Sequence, residues 1–443
     1  MVSLLPEGSV LRFDGTATPV RVLRCLGGGG QGQVFEVDFA GERLAMKWYF
    51  PGCLQRDPEL KNRLRACISA TQPNGSFLWP ILVLDPDGDS LQRLGIAAGS
   101  FGYLMRLRPE AFQPAIAHTG GRLEISLQQL LRSCFQLAEA FHALHSKGLC
   151  YKDISLGNLF LEPASGEILI CDNDNVDVNG SALGSVRGTT GFMAPEVLLG
   201  QARPSTSSDL FSLAVLIFRL LTRHDPYLGR LELQIRCLDE PARIRLYGEN
   251  PVFIFDPADA SNRPDPVAHP APLLTWPIYP PQLRQLLEQT LAEGARDPGR
   301  RAYTGQWLRA LSRCLDQRGL CPHCGQEVFP EPGEPGRCWD CGGELPVMPR
   351  LLMAGGAVLA QPGNALHAHH FQPLQAERLD QPLARIEAHP QRVDLLGLKN
   401  LSADPWTAVL SRGEEVVIPP LRSGSLSSLV AIHTPLGPIT MVR

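Results

Sequence analysis

Four stretches of this 443-residue chain have residue types and spacings suited to chemistry. The first is LGGGGQGQVFEV, where Gly27, Gly29 and Gly32 follow a G-x-G-x-x-G-x-V pattern ending at Val34. It lies between two strand-like runs and not ahead of a helix, which disfavours a dinucleotide-binding turn. A glycine hairpin can lay bare backbone N–H groups over a polyphosphate at a distance no side-chained loop could reach. Lys47 ends AMK in the next apolar run. An ammonium in such a strand is costly unless it meets an anion, and nucleotide phosphates would be one. The competing readings are an ordinary hairpin turn and a strand-end lysine reaching solvent.

The second stretch is YKDISLGNLF, residues 151–160, in which Asp153 and Asn158 stand five apart. Such a loop can set a carboxylate at a substrate hydroxyl and a carboxamide oxygen on a metal. The third is ICDNDN, residues 170–175, where Asp172 ends an apolar run. A strand-end carboxylate suits Mg²⁺, which takes one or two protein oxygens beside phosphate and water. The fourth is the pair CPHC (321–324) and CWDC (338–341), separated by 13 residues. Cys321, Cys324, Cys338 and Cys341 read as a closed, tetrahedral structural Zn²⁺ site, each pair forming one knuckle. Gly325 and Gly342 suit the knuckle turns, and His323 reads as a turn residue.

The order of these features, continued by GTTGFMAPEVL (188–198), Asp209 and Arg301, resembles the eukaryotic-type Ser/Thr protein kinase family as found in bacteria. The resemblance spans roughly residues 12–316. It implies that Gly27, Gly29 and Gly32 cover the phosphates of ATP and that Lys47 holds them. It makes Asp153 the catalytic base, with Asn158 and Asp172 as Mg²⁺ ligands. Thr189 would support Asp153, Glu196 would pair with Arg301, and Asp209 would brace the catalytic loop. Met105 would be the gatekeeper residue, and Arg106, Leu107 and Arg108 the hinge that meets adenine. The implied acceptor is a protein hydroxyl, so a protein substrate is expected.

Departures accompany the match. His-Arg-Asp reads Tyr151-Lys152-Asp153, the lysine two residues after the Asp is Ser155, and Asp-Phe-Gly reads Asp172-Asn173-Asp174. Glu59 is the one acidic residue in its short helix and the candidate partner for Lys47. Lys152 could attract a phosphorylated segment, for which Ser181, Ser185 and Thr190 are candidates. Asp174 is expected near enough to Mg²⁺ to influence it, in a metal loop made rigid by the loss of the Phe-Gly pair. The alternative to an active enzyme is a nucleotide-binding pseudokinase that assembles partners through its C-terminal parts. A small-molecule kinase is a third reading.

The elements that must position these residues change character near Ser126. Residues about 10–115 show short runs rich in branched and aromatic residues, bounded by Gly, Asp and Pro, with one helix at 58–70. Apolar residues at 127, 130, 131, 134, 137, 138, 141 and 144 then fit a 3.6-residue period. Ser126 and Gln129 form a capping box there, and Gly148 lies past the end. DLFSLAVLIFRLLT, from Asp209, is apolar all round and belongs inside a lobe. Helices are expected at 280–294, with Pro281 in the first turn, and at 304–317. Residues 238–280 read as an irregular ordered insertion.

The fold class is therefore α+β. A bilobal kinase fold (12–316), with a β-rich N-lobe and a helical C-lobe, precedes a zinc ribbon (318–347) and a small all-β sandwich (349–443). Residues 395–420 are similar to the forkhead-associated sandwich but lack its Gly-Arg and Ser…His phosphate contacts, so docking is the expected role. HAHH, 367–370, reads as a solvent-exposed loop.

Hydrophobic residues are 44% and charged residues 19%, with a net charge of −4. That balance supports a packed core and shows no basic footprint for nucleic acid. No apolar run approaches the ~20 residues that cross a bilayer, so neither membrane nor leader is expected. Eight scattered cysteines read as reduced core thiols, and the location as cytoplasmic. The domain order resembles stress-associated kinases that work beside a PP2C-type phosphatase and a von Willebrand factor A protein.

Overall fold

The computed structural model describes residues 3–13, 17–180 and 188–443, apart from the side chains of 393 and 394. Ser181 and Ser185 lie outside the described residues. The chain divides into two compact units. The first comprises Met1–Ile125, Gln136–Ala271 and Leu287–Thr304, and the second Ser126–Phe135, Pro272–Leu286 and Gly305–Arg443.

The first unit begins with a six-stranded antiparallel sheet in the order β1-β2-β3-β4-β6-β5. Its strands are β1 (Val10–Leu11), β2 (Val20–Gly28), β3 (Gly32–Phe39), β4 (Glu42–Tyr49), β5 (Pro80–Leu84) and β6 (Gly102–Arg106). Residues such as Val22, Val37, Met46 and Leu104 alternate inward and bury one face. On the other face Ala45, Tyr49, Tyr103 and Met105 pack with Leu60 and Leu64. Short α1 (Cys53–Arg56) leads into α2 (Leu60–Ala70), and α3 (Gly88–Leu94) separates β5 from β6. Sequence patterning does not reveal β5 and α3. Asp87 caps α3 by accepting the Ser90 N–H at 2.7 Å.

Next come β7 (Gln113–Pro114), α4 (Ala115–Thr119), α5 (Leu127–Ser146), β8 (Leu149–Cys150), β9 (Leu159–Leu161), β10 (Ile168–Ile170) and β11 (Asp177–Val178). Helices α6 (Pro195–Leu198) and α7 (Thr206–Thr222) follow. The apolar run becomes α7, buried on nearly every face and capped by a Ser205–Ser208 capping box. The expected irregular insertion is more ordered than patterning suggests, with α8 (Glu240–Ile244), a π turn at Arg245–Glu249 and α9 (Pro270–Thr275). Then come α10 (Pro281–Glu288), α11 (Gly294–Arg296) and α12 (Thr304–Asp316).

In the second unit two hairpins follow: β12 (Gly319–Leu320) with β13 (Glu327–Val328), and β14 (Gly336–Arg337) with β15 (Glu344–Leu345). They bury Val328, Leu345, Met348 and Leu359 with Cys321 and Cys338. The tail strands are β16 (Arg350–Met353), β17 (Gly356–Leu359), β18 (Ala365–Leu366), β19 (Ala384–His389), β20 (Arg392–Asn400), β21 (Trp406–Leu410), β22 (Glu415–Ile418), β23 (Ser423–Ser425), β24 (Leu429–Thr434) and β25 (Gly437–Val442). They form sheets in the orders β17-β16-β25-β24-β21-β22 and β18-β19-β20-β23. Leu351, Trp406, Ile432, Ile386 and Leu398 share one core cluster.

Two expectations fail here. The tail contains a helical turn, α13 (Ala368–Phe371). The HAHH run is not exposed, because His367, His369 and His370 are 5%, 8% and 1% accessible. Their hydrogen bonds to α12 explain the burial: His369 meets Ser312 at 3.1 Å and His370 meets Asp316 at 3.1 Å. The scattered cysteines also divide, since Cys25 and Cys237 are exposed while Cys53, Cys67, Cys134, Cys150 and Cys314 are buried.

Candidate active site and metal centre

A cavity of about 1010 Å³ in the first unit brings most of the expected residues together. Gly27, Gly29, Gly32, Val34, Lys47, Met105, Leu107, Asp153 and Asp172 all line it. Asn158 does not, and Asn175 does. Ala45, Leu78 and Phe160 add apolar wall. Arg108 stacks over Phe160 at 4.5 Å, just past strand β6.

The glycines sit on the β2–β3 hairpin. A Cβ on Gly27, Gly29 or Gly30 would meet nothing within 4 Å, so these residues face open space. Gly32 is different: a Cβ there would stand 2.1 Å from the Trp48 carbonyl oxygen, so close pairing with β4 demands glycine. Gln31 in the loop tip reaches Lys47 at 3.4 Å, a contact with no signal in sequence.

Lys47 is the centre of the charge arrangement. Its Nζ donates to Asp172 at 3.1 Å and to Asp174 at 2.8 Å. Asp174 also accepts the Tyr49 hydroxyl at 2.5 Å, and its side chain is fully buried. One expectation is corrected by this geometry. Glu59 is not the partner of Lys47; it stands one residue ahead of α2 and accepts from Asn62 at 2.9 Å. Asp174 turns inward onto Lys47 and remains close enough to act on the charge of Asp172.

The reason lies in the turn. Asp172 adopts φ 54, a left-handed conformation that costs a non-glycine residue about 1 kcal/mol. Asn173, fully buried, donates to Leu78 O at 2.8 Å and Ile170 O at 3.3 Å. With Asn173 anchored behind the strand end, residues 173–175 form a 3₁₀ turn, and Asp172 and Asp174 converge on one ammonium. Burial would lower the Lys47 pKa, but Asp174 and Asp172 raise it above the ordinary lysine value. Burial would push Asp174 up, yet Lys47 and Tyr49 hold it below the usual carboxylate range. Burial raises Asp172, only partly offset by Lys47.

Asp153 accepts the Thr189 hydroxyl at 2.7 Å. The Asn158 side chain donates to the Asp153 carbonyl oxygen at 2.9 Å and lies 3.5 Å from its carboxylate. Asp209, at the start of α7, accepts the Tyr151 N–H at 2.7 Å, the Lys152 N–H at 3.0 Å and a His145 contact at 3.1 Å. Tyr151 packs edge-on against Phe141 and bonds the Cys171 carbonyl, so a buried ring stands two residues before Asp153. Lys152 pairs with Asp177 at 2.8 Å, both nearly buried. Its ammonium therefore faces a resident carboxylate in this structure. Arg301 makes a two-pronged bond to Glu196, both arms at 2.8 Å.

The cysteine cluster occupies the two hairpins of the second unit. One sulfur from each of Cys321, Cys324, Cys338 and Cys341 lies within 4.8 Å of the others. Both knuckles close on the Gly325 and Gly342 N–H groups, bonded to Cys321 O at 2.9 Å and Cys338 O at 3.0 Å. Gly325 and Gly342 take φ 76 and 69, which favour glycine. Burial would raise the Cys321 thiol, but the Cys324 and His323 N–H groups bring it down to about 6. Four soft sulfurs in a tight set fit a zinc-type ion. His323 bonds Glu344 O at 3.0 Å, outside the set.

The protein kinase domain family model matches residues 114–304, less than half of the chain. The chain is 26% identical over 252 residues to serine/threonine-protein kinase PknD of Protochlamydia amoebophila, covering 50% of this chain and 25% of that protein. It is 33% identical over 120 residues to serine/threonine-protein kinase sck2 of Schizosaccharomyces pombe, covering 24% and 18%. It is 38% identical over 103 residues to a putative ribosomal protein S6 kinase alpha-1 of Caenorhabditis elegans, covering 22% and 13%. The chain thus spans a quarter or less of the length of these three relatives. Its similarity to protein kinase domains covers the segment that holds Asp153, Asp172, Thr189, Glu196 and Arg301.

Proposed function

We propose that this chain transfers the terminal phosphoryl group of ATP to a serine or threonine hydroxyl of a protein substrate. The observation that carries the reading is the convergence of a glycine hairpin, Lys47, Asp153 and Asp172 on one cavity. In this reading Val34, Ala45, Leu78 and Met105 sandwich the adenine, and the backbone near Leu107 bonds its edge. Lys47 holds the α/β-phosphates. Asp153, oriented by Thr189, receives the acceptor proton. Asp172 holds Mg²⁺, with Asn158 beside it, and bound Mg²⁺ would neutralise charge on the phosphates. The four cysteines hold a structural Zn²⁺ in a ribbon at 318–347, between a kinase domain at 12–316 and a docking sandwich at 349–443. A cytoplasmic setting, with PP2C-type phosphatase and von Willebrand factor A partners, completes the reading.

The test is transfer of label from ATP with Mg²⁺ to the protein itself or to a basic protein acceptor. Asp153→Asn should lower the rate by about 10²–10⁴-fold, and Asp172→Ala should abolish the Mg²⁺-dependent rate. Nucleotide-dependent thermal stabilisation without transfer would make the chain a nucleotide-binding scaffold. Transfer to a sugar or aminoglycoside but to no protein would make it a small-molecule kinase.

A further inference from the structure

The second unit buries three histidines that the phosphotransfer reading does not use. One ring nitrogen from each of His367, His369 and His370 lies within 4.8 Å of the other two. The His369 and His370 rings are 4.1 Å apart, and the His367 and His369 rings stack at 5.6 Å. Nδ1 of His367 and Nδ1 of His369 are buried without a hydrogen-bond partner. A buried polar atom left unpaired costs about 1–3 kcal/mol, so two in one cluster call for a bound water or ion.

The geometry favours an ion, because the unpaired Nδ1 atoms of His367 and His369 lie in a cluster tight enough to meet one centre. Outer groups fix the rings. Ser312 meets His369 Nε2 at 3.1 Å, and Asp316 meets His370 Nε2 at 3.1 Å. A carboxylate or hydroxyl behind a metal-binding imidazole orients it and raises its basicity. The backbone is pinned as well. Gly355 N–H donates to His370 O at 2.7 Å, and a Cβ at Gly355 would stand 2.0 Å from His369 O.

We propose that His367, His369 and His370 form a second metal site, for a divalent transition ion of the zinc type. His367 and His369 supply the open nitrogens. His370 Nδ1 accepts the His367 N–H at 2.9 Å, so it joins as third ligand by exchanging that bond for the ion. Three imidazoles leave a fourth position for water. Ligand nitrogens around tetrahedral zinc stand roughly 3.4 Å apart, a side-chain adjustment from the present cluster. The cluster is shut off from solvent, so the ion enters as the chain folds.

The full-length protein, expressed with zinc and dialysed without chelator, should contain two zinc ions per chain by elemental analysis. His367→Gln with His369→Gln should leave one, and Cys338→Ser should also leave one. Protein refolded with cobalt(II) gives a reading that survives loss of either site. Visible bands without thiolate charge transfer should persist in Cys338→Ser and vanish in the histidine variant. One zinc per chain in the wild type, with cobalt bands of thiolate type alone, would overturn the site and leave water on the two nitrogens. Two ions retained by the histidine variant would overturn it as well.

Discussion

Lys47 stays charged in an almost dry setting because two carboxylates of one short turn come to it. A buried ammonium needs an adjacent anion, and removing one partner of a buried pair costs about 3–5 kcal/mol. Asp174 is the dry partner, and Asp172 is the one that also faces the cavity. The turn that carries the metal-site candidate thus also holds the lysine directly. Asp174→Asn should lower kcat/KM for ATP by about 10–100-fold through misplaced Lys47, chiefly as a higher KM for ATP. Glu59→Gln should change it less than about twofold, as surface substitutions do. Steady-state kinetics over an ATP series checks both, and equal losses would return Glu59 to the role of lysine partner. Asp177 on Lys152 follows the same logic, a resident carboxylate beside a nearly buried ammonium.

At the scale of elements, the amphipathic period of α5 is plain in sequence, but its cap is only half legible. Ser126 accepts the Gln129 N–H at 3.2 Å, as the capping pattern suggests. The Leu127 and Gln128 N–H groups go to the carboxylate of Glu327, about 200 residues away, at 2.5 and 3.1 Å. Glu327 also receives Arg318 at 2.5 Å, so one carboxylate ties a helix start to the first ribbon hairpin within the second unit. Glu327→Ala should cost about 2–4 kcal/mol, between the loss of a cap and the loss of a buried ion-pair partner. Hydrogen exchange at Leu127 and Gln128 should quicken selectively; unchanged protection there would show that Ser126 suffices. The strand β5 escaped sequence reading for a related reason, since Pro80–Leu84 has too little alternation to stand out.

At the scale of the molecule, metal should be part of the fold. The two ribbon hairpins have strands of two residues each, too short to hold without the cysteine site. Cys338→Ser should lower zinc content by one ion per chain and loosen residues 319–345, read by hydrogen exchange. A variant that loses the ion yet keeps full protection there would show that the ribbon folds on packing alone. Among the described residues no helix is long and apolar enough to cross a membrane.

The residue types and spacings by themselves picked out the glycines, Lys47, Asp153 and Asp172 that line one cavity, the four clustered thiols and a chain of mixed helix and strand. These are local patterns, in which a strand, a loop and a side chain follow one another along the chain. Tertiary structure decided which groups pair. Asp174 rather than Glu59 reaches Lys47, Asp177 takes Lys152, Glu327 caps α5, and the HAHH run is buried on α12. Each outcome depends on a contact between segments distant in sequence or on a turn whose direction one anchored residue sets. Charge type and periodicity say that a buried ammonium must find an anion; only the fold says which one is near enough.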